Sequence, residues 1–447
     1  MGGGESGVGA AILGKDKGWE VFLSDSGTLK PQHKATLEAE GIAYEEGGHT
    51  PELILNATEV VKSPGIPPYA PLVEQLVAKG IPVISEIEFA GRYTDARMVC
   101  ITGSNGKTTT TELITHILRE AGIDASKAGN VGRSLALQVA RDPHDVYVVE
   151  LSSFQLENMY DFRANVAVML NITPDHMDRY DHCMQNYINA KFRIIRNMTE
   201  QDSFVFWQDD PVIAAQLAHT DTDARLCPFS EERRAESVAW TEGEDDARLV
   251  IDATNEPLMM PRADLALNGL HNLYNSMAAG ISAQLLKADN KAIMHALADF
   301  EGVAHRLEYV ATVDGVRYIN DSKATNVNST WYALESMPKA TEPNVVLILG
   351  GTDKGNDYSE ILPLVHEKVK AIVAMGVDNK KIMDYFGPEV PEIRSTGSLD
   401  ECLKTCRELA KEGDTVLLSP CCASFDLFSS YVDRGNQFKS AILNLKP

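Results

Sequence analysis

The segment "RMVCITGSNGKTTTTELITHILREAG", residues 97–122, decides the fold of the part of the chain around it. It begins with a short apolar run that favours a buried β-strand and continues through a loop with two glycines. Leu113, Ile114, Ile117 and Leu118 then follow at helical spacing, and Gly122 stands where a glycine commonly ends a helix. Strand, glycine loop and helix form the repeating unit of a parallel α/β sheet, which is the class of fold that we predict.

The loop between this strand and this helix resembles a phosphate-binding loop but departs from the usual pattern G-x-x-x-x-G-K-[ST]. The position that should hold the first glycine is Ile101, and the nearest earlier glycine is Gly103. The physical requirements are still met, because a helix that starts at Lys107 brings backbone N–H groups and a positive dipole to the loop. Lys107 adds a full charge, and Thr108 offers a hydroxyl for Mg²⁺. An ordinary strand-to-helix turn is the alternative interpretation.

Strand and helix signals alternate through the rest of the chain, and we predict three α/β domains over residues 1–93, 94–300 and 301–447. Further buried-strand candidates end in polar or small residues: "DVYVVELSS", "NVAVMLNIT", "VVLILGG", "AIVAMG" and "DTVLLSP". Ligands of open parallel sheets bind beyond the carboxyl ends of the strands, so we expect the polar ends of "DVYVVELSS" and "NVAVMLNIT" to face one site. The acidic, weakly patterned residues 221–263 predict edge strands and loops.

The composition favours a soluble protein that binds small molecules. Apolar residues make up 44% of the chain and charged residues 23%, and no apolar run approaches the roughly 20 residues that cross a bilayer. The net charge of −23 disfavours nucleic acid as a partner. The odd number of cysteines, 7, and the absence of C-x-x-C pairs predict reduced thiols in a cytoplasm. We interpret Cys421 and Cys422 as packing residues.

Several polar residues follow predicted strands, and each has an ordinary structural alternative. Glu150 closes an apolar strand, where a carboxylate is costly without a partner, although an ion-paired acid would satisfy that need. His176 follows another strand and is, taken alone, more often a surface or capping residue. Lys191 lies on a predicted helix, where its default role is a solvated charge.

Other candidates lie toward the C-terminus. Asn272 and Asn275 are three residues apart and share one helical face, where they could bind a purine or cap the helix. Arg306 could contact nucleotide phosphates in a bidentate manner. A polar group that suits either a site or a plain turn follows the strand "RYIN": Asp321, Lys323 and Thr325.

Ten motifs in chain order resemble those of the ATP-dependent Mur ligases of peptidoglycan synthesis: "KSPGIPP", "GNVG", "VVELSSFQLE", "NITPDHMDRY", "AKFRI", "GLHNLYN", "AHRLEYV", "NDSKATN", "LGGTDKG" and "LLSPCCASFDLF". The family's loop T-G-[ST]-N-G-K-[ST]-[ST] matches Thr102 to Thr109, so the missing early glycine is a family trait. "NDSKATN", "SPGIPP" and "SPCCASFD" resemble the branch that adds D-glutamate.

The resemblance implies a Rossmann-like UDP-binding domain, a central P-loop ATPase-type domain with a mostly parallel sheet, and a Rossmann-like C-terminal domain that binds the amino acid. It implies that the carboxylate of UDP-N-acetylmuramoyl-L-alanine is activated by ATP as an acyl phosphate, which the amine of D-glutamate then attacks. Positioning and charge neutralisation would dominate such catalysis. We expect a cytoplasmic bacterial monomer without nucleic-acid or membrane partners.

The resemblance also assigns residues. ATP would be bound by Gly103, Asn105, Gly106, Lys107, Thr108, Thr109, Asn272, Asn275, Arg306 and Asp321. The UDP substrate would contact Ser6, Gly7, Asp25, Ser26, Gly65, Asn130 and Ser152, and D-glutamate would contact Thr325, Lys354, Ser424 and Phe425. Catalytic roles would fall to Lys107, His176, Lys191 and Lys323. Two Mg²⁺ sites would use Thr108, Glu150, His176 and Lys191, with Lys191 converted to a carbamate.

The N-terminus departs from the expected pattern. A glycine loop of this kind should follow a first β-strand of about five residues, but "MGGGESGVG" starts at the loop. We therefore expect a native strand upstream of the first residue, on which binding of the UDP group would depend.

Alternatives to an amide ligase that adds D-glutamate are another Mur-type or folylpolyglutamate-type ligase, a P-loop kinase or NTPase, and a catalytically silent nucleotide-binding module. A kinase or NTPase would leave the third domain, with Lys354 and Ser424, without a role. A silent module is disfavoured because all the matched polar positions are intact.

Overall fold

The computed structural model describes residues 1–244, 247–267, 269–300, 302–353 and 355–445. The chain forms two compact units, one of Met1–Ala266 with Tyr274–Phe300 and one of Leu267–Leu273 with Glu301–Pro447. The predicted α/β class with mostly parallel sheets is confirmed. The domain boundaries near residues 93 and 300 stay predictions.

The N-terminal part of the first unit contains short elements: α1 (Glu5–Asp16), β1 (Phe22–Ser24), α2 (Pro31–Ala39), β2 (Ala43–Glu45), α3 (Pro51–Ile54), β3 (Val60–Val61), α4 (Pro71–Ala78), β4 (Val83–Ile84) and α5 (Glu86–Gly91). The strands form two parallel pairs, β1 with β2 and β3 with β4. Met1 N donates to Val61 O at 2.7 Å, and Gly2 N donates to Ser24 O at 2.9 Å, so these two residues join the pairs.

The rest of the first unit is built on a nine-stranded sheet: β5 (Arg97–Thr102), α6 (Lys107–Glu120), β6 (Ala125–Gly129), α7 (Leu135–Arg141), β7 (Val146–Glu150), α8 (Ser153–Leu156), β8 (Val166–Met169), α9 (Met184–Phe192), β9 (Ser203–Trp207), α10 (Pro211–Leu217), β10 (Arg225–Glu232), β11 (Ala239–Glu242), β12 (Arg248–Ile251), β13 (Leu258–Pro261), α11 (Leu270–Leu285) and α12 (Asn290–Asp299). The strand order is β13-β12-β11-β10-β9-β8-β5-β7-β6. Residues 221–263 supply β10–β13, of which β13 is the edge strand, whereas β10, β11 and β12 are paired on both sides, unlike the predicted edge strands.

The position of β5 explains why the glycine loop lies in the middle of the sheet edge. β5 pairs in parallel with β7 on one side and β8 on the other, and Ile101 is opposite Glu150. The order therefore reverses beside β5, which is where open parallel sheets bind ligands. Val99, Cys100 and Ile101 are fully buried because a central parallel strand is covered on both faces.

The second unit contains a six-stranded sheet of order β14-β15-β19-β16-β17-β18, in which only β14 and β15 are antiparallel. Its elements are β14 (Glu308–Val313), β15 (Val316–Asn320), α13 (Val327–Glu335), β16 (Val345–Leu349), α14 (Leu362–Lys368), β17 (Val369–Met375), α15 (Lys380–Phe386), β18 (Ile393–Thr396), α16 (Leu399–Leu409), β19 (Thr415–Leu418) and α17 (Tyr431–Leu443). The loops after β15, β19 and β16 consequently lie side by side at one edge.

Two sequence expectations concern the chain as a whole. Within the described residues all seven cysteines are free thiols, and Cys421 and Cys422 are buried. None of the described helices combines the length and the apolarity that crossing a bilayer requires.

Helix α13 follows the polar loop after β15, and a buried lysine fixes its other end. Lys368 Nζ donates to three carbonyl oxygens at the C-terminus of α13, those of Leu334 at 3.0 Å, Glu335 at 2.8 Å and Met337 at 2.9 Å. A cation at this end also interacts favourably with the helix dipole. Lys368 thus holds in place the helix that begins beside the predicted site.

We predict that Lys368→Met lowers the unfolding free energy of the second unit by about 1–3 kcal/mol, because three buried carbonyl groups lose their donor. Calorimetry of the intact chain measures the change. The control is Lys339→Met, whose side chain is 81% exposed and pairs with Glu367 at the surface. Its effect should stay within about 0.5 kcal/mol. Equal effects of the two substitutions would contradict the role of Lys368.

Candidate active site

The loop between β5 and α6 adopts a conformation that needs its glycines. Gly103 has φ of 151° and Gly106 has φ of 85°, both in the region that favours glycine. A Cβ on Gly106 would lie 2.5 Å from Asn275 Oδ1. Asn171 fixes the loop from the other side, since its Oδ1 accepts from Asn105 N at 2.8 Å. The loop is therefore a rigid turn at the N-terminus of α6.

The groups around this turn suit an anion. Lys107 Nζ donates to Gly103 O at 2.8 Å and to Ser104 O at 2.9 Å, so its charge lies directly over the loop. Among the described residues, Thr109 Oγ1 has no hydrogen-bond partner although it is buried. A buried hydroxyl of this kind is satisfied when a ligand oxygen reaches it. Together with the backbone N–H groups that begin α6, these groups fit a phosphate.

Glu150 ends β7 beside the loop. Its side chain is buried, and Oε2 accepts from Thr108 Oγ1 at 2.7 Å while Oε1 accepts from Asn130 Nδ2 at 2.7 Å. The structure thus brings together Thr108, Glu150 and Asn130. A hydroxyl and a carboxylate are the hard oxygen donors that Mg²⁺ prefers, so these residues fit the predicted metal.

Lys191 is not the solvated charge that a helical lysine is by default. It lies on α9, is 1% exposed, and its Nζ donates to Gly103 O at 2.7 Å, the same oxygen that accepts from Lys107. Burial, followed by the Lys107 ammonium, lowers the pKa of Lys191 well below its ordinary value, and Asp175 opposes that shift. Burial at this position therefore disfavours the charged form of the amine relative to a lysine in water.

His176 lies at the margin of the candidate site. Its backbone is left-handed, with φ of 54°, and its ring packs 5.1 Å from that of Phe154. Its Nε2 is 3.6 Å from Asp175 Oδ2. In the described part of the chain no three His, Cys, Asp or Glu side chains are grouped to hold a metal ion. The second metal site, which combines His176 with Lys191, stays a prediction.

Five of the residues predicted to bind UDP lie in the N-terminal part of the first unit: Ser6 and Gly7 on α1, Asp25 and Ser26 after β1, and Gly65 after β3. Gly7 has close backbone contact, because a Cβ there would lie 1.9 Å from Gly2 O. Burial raises the pKa of Asp25, but the N–H groups of Gly3 and Gly27, together with the charges of His49 and the N-terminal amine, hold that pKa below its ordinary value. Ser26 and Gly65 are exposed, and Ser6 is partly buried. Ser152, by contrast, is the N-cap of α8 and exchanges hydrogen bonds with Gln155.

Sequence reasoning missed two cations beside Gly65. Lys62 Nζ donates to Ile66 O at 2.6 Å, and burial, then the charge of Arg179, lowers its pKa to about 8. Arg179 contacts Ile66 O at 3.5 Å and pairs with Glu157 at 3.1 Å. These side chains hold the turn that carries Gly65. A buried lysine before a proline turn has no sequence signal of its own.

In the second unit, Asp321 follows β15 and is buried. Leu307 N donates to its Oδ1 at 3.2 Å, and Ser419 Oγ donates to its Oδ2 at 2.9 Å. Burial raises the pKa of Asp321 to about 7, although Arg306 lowers it. The pKa of His271 is lowered to about 3, first by burial and then by the charge of Arg306. The structure thus brings together two predicted residues, Arg306 and Asp321.

Arg434, which sequence reasoning also missed, connects the three loops at this edge. It is 1% exposed and donates to Ser322 O at 2.8 Å, Cys422 O at 3.2 Å and Gly350 O at 3.5 Å. Its burial lowers its pKa to about 10. Arg434 belongs to the segment "DRGN", which follows the last of the ten motifs. Its contacts with the three loops can therefore be recognised only in the folded structure.

The other predicted residues differ in exposure. Ser424 is buried, whereas Phe425 is 74% exposed. The ring of Tyr431, which was not predicted, lies 5.5 Å from Lys323 Nζ. Asn272 and Asn275 are buried on α11, and Thr325 is partly buried beside α13. Lys354 lies outside the described residues.

These features define a nucleotide-binding α/β protein, and comparison with known proteins identifies its family. The Mur ligase middle domain matches residues 101–283, the Mur ligase glutamate ligase domain matches residues 305–422, and the MurD N-terminal domain matches residues 8–72. The chain belongs to the Mur ligase family.

Relatives within the family match the whole chain. The UDP-N-acetylmuramoylalanine–D-glutamate ligase of Bacteroides fragilis is 58% identical over 450 residues, which cover 100% of this chain and 99% of the relative. The ligase of the same name from Porphyromonas gingivalis is 55% identical over 446 residues, 100% of this chain and 98% of the relative. The structure of UDP-N-acetylmuramate–alanine ligase from Thermotoga maritima aligns with a TM-score of 0.63 and 18% identity, covering 99% of this chain and 98% of that one.

The raised pKa of Asp321 predicts a pH-dependent effect of its replacement. Between its ordinary pKa of 3.8 and about 7 the folded state binds more protons at this group than the unfolded state. Asp321 therefore lowers stability as pH rises through this range. We expect the difference in melting temperature, Asp321→Asn minus the unmodified protein, to increase from pH 5 to pH 8. Thermal melts at both pH values test this, and a constant difference would show that the carboxyl is not perturbed.

Proposed function

We propose that the protein is an ATP-dependent ligase that adds D-glutamate to UDP-N-acetylmuramoyl-L-alanine, giving ADP and phosphate, in cytoplasmic peptidoglycan precursor synthesis. The observation that carries the proposal is the 58% identity, over 100% of the chain, to a relative named for this reaction. The phosphate loop, Glu150 and Lys191 supply the matching chemistry in the first unit.

The first unit would bind ATP at the loop of β5. An arriving phosphate would compete with two carbonyl oxygens for the ammonium group of Lys107. Gly106 and Thr109 would lie against the phosphate oxygens, and Asn275 would support the loop. The ammonium of Lys107 would neutralise charge that develops on the transferred phosphoryl group.

One Mg²⁺ would be held by Thr108 and Glu150, where it would neutralise phosphate charge. Asn130 would keep Glu150 in the orientation that the ion needs, since it occupies the other carboxylate oxygen. His176 and a modified Lys191 would hold a second ion. In this proposal the metal supplies electrostatic stabilisation, and the side chains set its position.

We propose that Lys191 becomes a carbamate. Its neutral amine would attack the carbon of CO₂, form an N–C bond and lose one proton, so that a buried amine becomes a carboxylate-like anion. Support comes from the burial of Lys191 and the lowered pKa of its amine. The anion would then lie near Lys107, where an opposite charge is favourable.

The reaction would proceed in two displacements. A carboxylate oxygen of the UDP substrate attacks the γ-phosphorus, the P–O bond to ADP breaks, and an acyl phosphate forms. The nitrogen of D-glutamate then attacks the acyl carbon, the C–O bond to phosphate breaks, and the nitrogen loses its proton. Lys323 would stabilise the anionic intermediate, and the predicted D-glutamate contacts are Thr325, Lys354, Ser424 and Phe425. The UDP contacts, the monomeric state and the domain boundaries stay predictions.

Phosphate release tests the proposal directly. ATP and UDP-N-acetylmuramoyl-L-alanine are incubated with D-glutamate, L-glutamate, meso-diaminopimelate or no amino acid. We expect turnover with D-glutamate at least about 100-fold above the other reactions, because a site that pairs polar groups of one ligand rejects others strongly. Turnover without an amino acid would favour an NTPase, and turnover with L-glutamate alone would refute the assignment.

Lys191→Ala tests the carbamate. We expect activity to fall at least about 100-fold, because the ligand of the second Mg²⁺ is lost, and added acetate or formate to restore part of it. ¹³C NMR of the unmodified protein in ¹³C-bicarbonate should show a carbamate carbon that Lys191→Ala lacks. Lys107→Ala is the matched control, since this lysine donates to the same carbonyl oxygen but should not be rescued by carboxylates. An active Lys191→Ala variant would eliminate the proposed role.

A further inference from the structure

Helix α5 carries two buried carboxylates that bind loops of the central sheet. Glu86 is 4% exposed and Glu88 is 1% exposed. The oxygens of Glu88 accept backbone N–H groups of Tyr160 at 2.9 Å, Asp161 at 3.2 Å and Phe162 at 3.0 Å. Glu88 thus fastens the loop that follows α8. Buried carboxylates are costly unless they are hydrogen-bonded in this way.

Glu86 fastens a different loop, the one between β6 and α7. Its Oε1 accepts from Ser134 Oγ at 2.7 Å and from Ala136 N at 2.6 Å, at the N-terminus of α7. Within the described chain no lysine or arginine pairs with Glu86, and the backbone N–H of Leu135 is a further donor to it, so neutral N–H and O–H groups satisfy the carboxylate. Glu5, on α1, accepts from Ser134 N at 3.2 Å. A Cβ on Gly9 would lie 2.1 Å from Ser134 Oγ, so α1 packs directly on this turn.

The loop that Glu86 fastens has little freedom to adjust. Gly129 and Gly132 have φ of 93° and 81°, and a Cβ on Gly129 would lie 2.3 Å from Glu150 O. Gln138 Nε2 donates to Lys127 O at 2.9 Å and to Arg133 O at 3.1 Å, which closes the loop onto α7. A displacement at the start of α7 is therefore transmitted along the loop.

Asn130 lies within this loop and contacts the acid of the candidate metal site. Its backbone N donates to Glu150 O at 2.9 Å, and its Nδ2 donates to Glu150 Oε1 at 2.7 Å. The other oxygen of Glu150 accepts from Thr108. A continuous series of contacts consequently runs from Glu86 through the loop to Asn130, Glu150 and Thr108.

We infer that Glu86 is a positioning residue for the metal-nucleotide site: by anchoring the start of α7 it sets Asn130 against Glu150. The inference rests on the proposed function for the identity of the ligand, a divalent cation with a nucleotide. The carboxylate acts through its oxygen as an acceptor, and its charge is not required. Removing the acceptor leaves the Ser134 O–H and the Ala136 N–H without the oxygen to which they donate, although Ser134 Oγ still accepts from Leu137 N, and it loosens the loop that orients Glu150.

Glu86→Ala tests this inference, with Glu88→Ala as a matched control. Both substitutions delete a buried carboxylate from the same helix, but only the first acts on the loop of Asn130. The probe is Mn²⁺ titrated into the full-length protein with ADP, and free Mn²⁺ is measured by EPR. We expect Glu86→Ala to weaken Mn²⁺ binding about 10-fold, as is common when a residue that orients a metal ligand is lost, and Glu88→Ala to change it less than about 2-fold.

Glu86→Gln separates geometry from charge and guards against simple unfolding. Its amide oxygen can still accept from Ser134 and Ala136, so Mn²⁺ binding should return to within about 2-fold of the unmodified protein. Equal losses in Glu86→Ala and Glu88→Ala, or no loss in either, would overturn the inference, as would failure of the unmodified protein to bind Mn²⁺ with ADP. The readout requires no D-glutamate, so failure of the proposed reaction is detected separately by the phosphate-release assay.

Discussion

One carbonyl oxygen determines the arrangement of the candidate site. Gly103 O accepts from Lys107 Nζ at 2.8 Å and from Lys191 Nζ at 2.7 Å. The lysine proposed to bind phosphate and the lysine proposed to bind metal therefore share one acceptor. Two ammonium groups that donate to one oxygen repel each other, and burial followed by the charge of Lys107 lowers the pKa of Lys191 well below its ordinary value. The left-handed glycine loop makes this oxygen available, since it turns the backbone so that the carbonyl points toward α9.

Buried carboxylates in the first unit organise the surroundings of this atom. Glu150 ends a central strand and is satisfied by a hydroxyl and an amide, whereas Glu86 and Glu88 are satisfied by groups of two loops. Each carboxylate is satisfied by hydrogen bonds, because an unpaired buried charge would cost several kcal/mol. Helix α5 therefore binds two loops of the central sheet, and the one held by Glu86 carries Asn130.

Much of the fold could be predicted from local patterns. Continuous apolar runs such as that of β5 identify central parallel strands, and the glycine loop identifies the strand-to-helix turn. The spacing of the loop, which departs from the usual phosphate-loop pattern, pointed to the family that comparison then identified. The order of strands in the sheets had no such local signal, because pairing joins residues that are distant in the chain.

The sequence by itself determined the class of fold and the location of the phosphate loop. It also identified a lysine and a threonine of that loop as residues suited to phosphate chemistry. Only the tertiary structure decided which charged residues are buried and what satisfies them. Lys191, Arg179 and Arg434 all read as ordinary cations in the sequence, yet each is buried against carbonyl oxygens of loops far along the chain. Burial and hydrogen-bond partners depend on how distant segments pack, and a local pattern carries no information about that packing.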